Sequence, residues 1–376
     1  MHVCDLPTPA LLLDLETLQH NLDTMAARAR SLGVALRPHI KTHKCVEIAR
    51  MQRDRGAQGL TVATLVEAGI FAAAGFNDIT YAFPLEPGKV DRALNLAERV
   101  TLRLTLDDLS TAEALETAAA SRGQEVHVWI KVDCGYHRAG VDPTGDYAVQ
   151  LARFLSGAAH LRFDGLLTHA GHAYHAASQE QLETIASQER DVLVRLADRL
   201  RADGTAVSMV SIGSTPTVSV VSNLESVQEI RPGSYVFYDR TLLVLGSCRL
   251  QDCALTVLAS VVSNQPNSNW LVMDAGALAL SLDPGPSHLE EKASKGAVVS
   301  ETTPLAIRSS LLVGALSQEH GIIQGSSPED LADLSVGSRV RILPNHSCLT
   351  AALFDRYAVV KGQEVLDHWE IRRSRS

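Results

Sequence analysis

The chain has no surplus of basic residues: across 376 positions, 43 acidic side chains outnumber 34 lysines and arginines, for a net charge of −9. That balance excludes the basic footprint with which proteins hold nucleic acid, and it points to small-molecule ligands. Long apolar runs are missing too. No uninterrupted stretch reaches the roughly 18 residues of a membrane span, and the N-terminal MHVCDLPTPALLLDL lacks the basic segment and apolar run of a leader. The expectation is a cytoplasmic protein without membrane or nucleic-acid partners. Six cysteines (Cys4, Cys45, Cys134, Cys248, Cys253 and Cys348) form no CxxC and no disulfide-framework spacing, so most read as buried thiols. Lysine is scarce, confined to positions 41, 44, 89, 131, 292, 295 and 361. Internal repeats beyond a βα alternation and low-complexity segments are absent, and the RRSRS tail is expected to fray.

What is present is alternation. From about Thr17 to Asp239, short β-rich runs alternate with amphipathic helical stretches, the pattern of parallel βαβ units. VALRPHI, GLTVATL, DITYAFP, TLRLTLDD, VHVWIKVD, FDGLLTHA, MVSIGST and VQEIRPGSYV give eight candidate strands. Eight strand-helix units in about 220 residues suit a (β/α)8 TIM-type barrel. After Asp239, CALTVLASVVSN, WLVMDAGALAL, SLLVGALS and GSRVRILP are β-rich with no long helices between them, which predicts a mainly β C-terminal domain. The expected division is a barrel over 17–240 and a β domain over 1–16 and 241–376 that also takes the N-terminal strand.

Barrel active sites gather at the C-terminal ends of the strands. Here the first strand ends on His39 and Lys41, the fifth on Asp133 and GYHRAG, and the sixth on His169, with His172, Tyr174 and His175 close behind. The seventh ends on Gly213, Ser214 and Thr215 just before a helical TPTVSVVS, and the eighth runs into RPGSY. GST and PGS are ordinary turns when taken singly. At the ends of adjacent strands, small residues with free N–H groups and a helix start make a phosphate cradle. A lysine made nucleophilic by partial burial and nearby cations forms Schiff bases with carbonyls, and pyridoxal phosphate brings both an aldehyde and a phosphate. Lys41 alone among the lysines stands at the catalytic end of a strand.

TPALLLDL, RPHIKTHK, GLTVATLVEA, VDCGYHRAGV, LTHAGHAY, SIGSTPT, RPGSYVFYD and PNHSC, in that order over nearly the whole chain, resemble the alanine-racemase-type (fold type III) pyridoxal phosphate enzymes. Within these they are most similar to the branch of D-serine dehydratase, D-threo-3-hydroxyaspartate dehydratase and D-threonine aldolase. The resemblance implies a cofactor-bearing barrel, a β domain that completes the site, and a homodimer with the active site at the subunit interface. Position by position, it implies that Lys41 carries the cofactor and that Ser214, Thr215, Gly233 and Ser234 hold its phosphate, with Tyr235 near them. Arg138 matches an arginine beside the cofactor ring, and Arg231 one that faces the pyridine nitrogen in alanine racemase. His169 and Tyr174 are candidates for ring contact.

His346 and Cys348 stand at i and i+2 in LPNHSCLT, so on a strand both would face one side and share a metal. Alone an HxC is weak; in this family context it predicts a divalent ion. A thiolate with an imidazole suits Zn2+, with Mn2+, Co2+ or Mg2+ as alternatives. The implied activity is a lyase reaction: a D-amino acid dehydratase (ammonia-lyase) acting on D-serine, D-threonine or D-threo-3-hydroxyaspartate to give a 2-oxo acid and ammonia. In the alternative, a metal-dependent aldolase, His175 or His172 takes the hydroxyl proton and the products are glycine and an aldehyde. A non-catalytic pyridoxal phosphate carrier is the third reading.

Overall fold

The computed structural model describes residues 1–290, 293–301 and 304–373. Contacts divide the chain into two compact units, one made of Met25–Lys41 and Ile48–Gly233, the other of Met1–Thr24, Thr42–Glu47 and Ser234–Arg373. Among the described residues no helix is long and apolar enough to cross a membrane.

Strand β1 spans Ala10–Asp14. The first unit is built on eight parallel strands: β2 (Ala35–Leu36), β3 (Leu60–Val62), β4 (Asp78–Pro84), β5 (Thr101–Leu106), β6 (Val126–Lys131), β7 (Leu161–Leu167), β8 (Met209–Ile212) and β9 (Glu229–Ile230). Their order is β2-β9-β8-β7-β6-β5-β4-β3, and a parallel bridge between His39 and Thr61, with Thr61 N–H donating to Pro38 at 2.9 Å, joins the two ends. All eight expected strands are present, so the barrel reading holds. β2 and β9 are short because each runs into a proline, Pro38 and Pro232, which has no N–H for the ladder; Arg37 and His39 still donate across to Ile230 and Pro232. Central strands carry unbroken apolar runs, such as Val128, Trp129 and Ile130, all fully buried, as sheets covered on both faces require. In β7, Gly165 lies against the Met209 carbonyl, where any Cβ would collide.

Strand starts carry charge instead. Arg37 pairs with Glu229 and with Asp78, both at 2.5 Å, Asp78 also pairs with Arg103, and Arg103 approaches Asp164 at 3.2 Å. The Asp164 carboxylate also meets His127 Nδ1 at 3.0 Å.

In the second unit, β1 lies between β10 (Leu255–Asn264, antiparallel) and β16 (Arg356–Lys361, parallel). The remaining strands are β11 (Trp270–Met273), β12 (Gly296–Val299), β13 (Ile307–Leu316), β14 (Gly321–Gly325), β15 (Arg339–Pro344) and β17 (Glu364–Glu370). The sheet order is β11-β14-β13-β12-β15-β10-β1-β16-β17, and because β10 also pairs with β11, six of these strands close into a ring. Leu12, Leu258, Ala358 and Val360 pack into one core cluster.

Two expectations change here. The strand read over WLVMDAGALAL stops at Met273, and Ala277–Leu280 is a helical turn. Gly276 explains the stop: a Cβ there would stand 2.5 Å from the Ser317 and Gln318 carbonyls, which accept from Ala277 and Leu278 N–H. Strands β12, β14, β16 and β17 were not anticipated, being short, glycine-bounded or rich in charge. Of the RRSRS tail, only Arg372 and Arg373 are among the described residues.

Removing one partner from a buried ion pair leaves the other charged and unmatched, at a cost of about 3–5 kcal/mol. Glu229→Ala is therefore expected to lower unfolding stability by about that amount, read as a shift of the urea midpoint. A midpoint equal to wild type would remove the Arg37–Glu229 pair as a structural support.

Candidate active site

The barrel unit gathers its cationic and imidazole groups at strand ends. His39 follows β2 and Lys41 sits in the tight turn Ile40–Thr42; Lys131 closes β6 and His169 follows β7. Burial drives His39 well below the usual histidine range, helped by the charges of Lys41, His169, Arg231 and Lys131. His169 is lowered likewise, first by burial and then by Lys41, Lys131, Arg138 and Arg231. Both rings are therefore neutral at pH 7, and His39 Nδ1 accepts the Lys41 backbone N–H at 3.4 Å. Lys131 is pushed down to about 7, by burial first and then by Arg231 and Arg138. The predicted residues Lys41, Arg138, His169 and Arg231 thus share one electrostatic environment.

Arg231 is buried and held rigidly, donating to Ser211 Oγ and to the Thr168 carbonyl, while Ser211 donates to Glu229 Oε1 at 2.6 Å. The Arg138 guanidinium lies over the Tyr136 ring at 4.8 Å, and Tyr136 stacks on His172 with centroids 6.0 Å apart and meets His169 edge-on. Gly171 admits that ring; a side chain there would overlap it. Tyr174 is half-buried and His175 exposed at the end of the turn Gly171–His175. Ser214 caps the helix Thr215–Val220, and Gly213 before it has φ +108, a conformation that glycine adopts without strain. Gly233 ends this unit.

Ser234 and Tyr235 open the turn Ser234–Val236 of the β unit, both buried. Here the HxC expectation needs correction. β15 stops at Pro344, and His346 caps the helix Ser347–Ala351, so the pair lies on a helix start and not on a strand. The cause is a polar clamp: Ser347 N–H and Oγ donate to Asp239 Oδ2 at 3.0 and 3.2 Å, and Asn345 Nδ2 donates to the Asp283 and Ser294 carbonyls. His346 and Cys348 are nonetheless hydrogen-bonded side chain to side chain. Burial pushes the Cys348 thiol up, but the His346 charge and hydrogen bonds from His346, Ser234 and Thr42 outweigh it, bringing the thiol to about 7. Burial opposes the His346 charge, while Cys348 and Asp283 favour it and win. Thr42 Oγ1 is 3.2 Å and Ser234 Oγ 3.5 Å from the sulfur.

Does this donor set suit a metal? A nearly ionised thiolate beside an imidazole fits a borderline-soft ion. Asp283 Oδ2 meets His346 Nδ1 at 3.1 Å, the carboxylate–histidine arrangement that orients a ligating ring and leaves Nε2 to the metal. Among the described residues no group of three or more His, Cys, Asp and Glu is placed to hold an ion, so His346 and Cys348 are the two donors this site offers. The anion cradle fits its group too: the barrel cluster is rich in cations, and Ser214 and Thr215 stand at a helix start.

The sequence did not signal Tyr136, Asp283 or Asp239. Tyr136 lies inside the quoted GYHRAG, whereas Asp283 and Asp239 act through contacts 63 and 108 residues away.

With this geometry in place, the comparisons define the class. Residues 13–241 match the model of the alanine racemase N-terminal domain and residues 254–360 that of the putative serine dehydratase domain. The chain belongs to this family of fold type III pyridoxal phosphate proteins. It is 39% identical to the D-threo-3-hydroxyaspartate dehydratase of Delftia sp. (strain HT23) over 97% of both chains, and 38% identical to the D-serine dehydratase of Dictyostelium discoideum over 95% and 94%. The solved Delftia structure superposes with a TM-score of 0.94 over 99% of both chains, at 36% identity; a cysteine-to-alanine mutant of it, titled as the metal-free form, matches equally well, at 0.94 over 100% of both. A D-threonine aldolase of Arthrobacter sp is 30% identical over 97% of this chain and 92% of its own.

In the cofactor-free protein, Lys131 gives a pH signature. The unfolded lysine keeps its proton up to about pH 10.5, whereas the native one releases it above about 7. The unfolded state then binds more protons, so stability rises with pH across that window, by up to about 1.4 kcal/mol per unit. Chemical denaturation at pH 7, 8 and 9 should show the slope in wild type and its loss in Lys131→Met; equal slopes would exclude a buried neutral lysine.

Proposed function

We propose that this chain is a pyridoxal phosphate- and zinc-dependent D-amino acid dehydratase, a cytoplasmic homodimeric lyase that converts D-serine or a related 3-hydroxy-D-amino acid to a 2-oxo acid and ammonia. The observation that carries the reading is the placement of the Cys348 sulfur, with Thr42 and Ser234 hydroxyls against it, beside a His346 whose Nδ1 is engaged by Asp283. Two such donors favour a Lewis-acidic ion with open positions, and a β-hydroxyl is a leaving group poor enough to need one. When bound, pyridoxal phosphate supplies an electron sink for charge developing at the substrate α-carbon, and zinc supplies Lewis acidity to the departing hydroxyl.

The chain's own residues do the rest. Lys41 would hold the cofactor through its Nζ and, once free, would serve as the base for the substrate α-proton on the face that selects the D-enantiomer. Ser214, Thr215, Gly233 and Ser234 would hold its phosphate, with Tyr235 supporting them. Arg138, which lies over Tyr136, would take the ring edge, and His169 and Tyr174 would border the ring. Arg231, which donates to Ser211 and the Thr168 carbonyl, is an obligate donor and would favour an unprotonated nitrogen in a cofactor ring facing it.

A second reading, retro-aldol cleavage to glycine and an aldehyde, is favoured by His172, whose Nδ1 is buried with no hydrogen-bond partner; His172, or the exposed His175, would take the hydroxyl proton. Incubating the protein with D-serine, D-threonine and D-threo-3-hydroxyaspartate, with and without chelator, separates the two. Pyruvate or another 2-oxo acid is expected, lost with chelator and restored by zinc; glycine without a 2-oxo acid would replace the dehydratase reading by the aldolase. Lys41→Ala should abolish turnover, a fall of at least about 10^3-fold for loss of a nucleophile and base, and lose the wild-type yellow absorbance. Retained turnover would remove Lys41 from the mechanism.

A further inference from the structure

Glu189 has not entered the site so far. It lies on the long helix Gln179–Ala202, is 1% exposed, and spends its carboxylate on two strand ends at once. Oε1 accepts the Ala170 N–H at 2.9 Å, in the segment after His169, and the Gly213 N–H at 3.2 Å. Oε2 accepts the Thr217 hydroxyl at 2.8 Å. Thr217 in turn is the N3 residue of the capping box that Ser214 opens, and its Oγ1 lies 3.0 Å from the Ser214 N–H.

A carboxylate only accepts, so three donors must point at it. The Thr217 hydroxyl has two acceptors, Glu189 Oε2 at 2.8 Å and the Ser214 carbonyl at 3.2 Å, and the shorter, charged one draws its proton. Its oxygen then accepts from the Ser214 N–H and faces Ser214 Oγ, each 3.0 Å away. One buried carboxylate thus holds Gly213 directly and Ser214 through Thr217. Its charge is matched within the same unit: Arg231 and Lys131 both feel Glu189.

We infer that Glu189 is a positioning residue that fixes the Gly213–Thr217 turn for a phosphate monoester and couples that turn to the His169 segment. The inference rests on the reading of Ser214 and Thr215 as phosphate-binding residues. It is specific to the phosphate: a ligand with the same ring and no phosphate does not use the turn.

Glu189→Gln keeps the shape and leaves a carbonyl for Ala170 and Gly213, but turns an N–H donor toward Thr217 and reverses its hydroxyl. Thr217→Val removes the same hydroxyl without touching the glutamate. Both variants and wild type, stripped of cofactor and checked for folding by circular dichroism, are titrated with pyridoxal phosphate and with pyridoxal. Wild type should bind the phosphate ester more tightly. Each variant should weaken pyridoxal phosphate about tenfold, the size of one charge-assisted hydrogen bond, and leave pyridoxal affinity unchanged. Pyridoxal phosphate affinity equal to or tighter than wild type in both variants, or an equal loss for both ligands, overturns the inference. If wild type itself does not discriminate between the ligands, the phosphate-cradle reading fails first.

Discussion

The barrel unit gathers cationic groups at its strand ends, with Arg231 and Lys131 buried among them, and much of what surrounds those ends answers to that. Two like charges about 4 Å apart repel by about 4 kcal/mol at an effective dielectric of about 20. A fold that buries Arg231 and Lys131 near Arg138 can shed protons or supply anions, and this one does both. His39, His169 and Lys131 are depressed by burial and by their cationic neighbours, and the buried carboxylates Glu189 and Glu229 supply negative charge to Arg231.

The two glutamates are not interchangeable counter-charges. Glu229 lies at the strand starts, tied to Arg37 and, through the Ser211 hydroxyl, to Arg231. It links the ion pairs under the barrel to the guanidinium at the site. Glu189 sits behind the turn after β8 and acts on N–H and O–H directions. One therefore sets where a cation stands, and the other how an anion's donors point. Both are fixed by hydrogen bonds on each oxygen, which makes buried carboxylates tolerable in an otherwise apolar barrel.

The barrel was legible in the sequence because each strand is a short β-rich run between helix signals, and because chemistry-bearing residues stand at the run ends. The motifs around Lys41, Arg138, Ser214 and Arg231 could be read for the same reason. What could not be read depends on contacts between remote segments. Asp283 reaches His346 from a proline- and glycine-rich connection, and Glu189 faces the middle of a helix inward among residues of amphipathic pattern. The HxC spacing suggested a strand because alternation gives one face to i and i+2. The Asp239 clamp on Ser347 makes a helix start instead, where the two side chains still meet. In the β unit, strands such as GIIQG and EVLDHWE are too short or too charged to give a periodic signal.

The choice of cysteine at position 348 is where the chemistry narrows. A carboxylate there would need no help to ionise and would favour hard ions with oxygen ligands. A half-buried thiol would stay mostly protonated at neutral pH unless something stabilised its anion, and the structure supplies that something in three parts: the His346 charge and the hydroxyls of Ser234 and Thr42. Asp283 and Asp239 then favour the imidazolium that keeps the thiolate. Five residues are thus arranged around one sulfur, one of them the buried Asp239. A softer Lewis acid would take the place of the imidazolium proton and gain a thiolate and a neutral imidazole together, whereas a hard ion would gain little from such an arrangement.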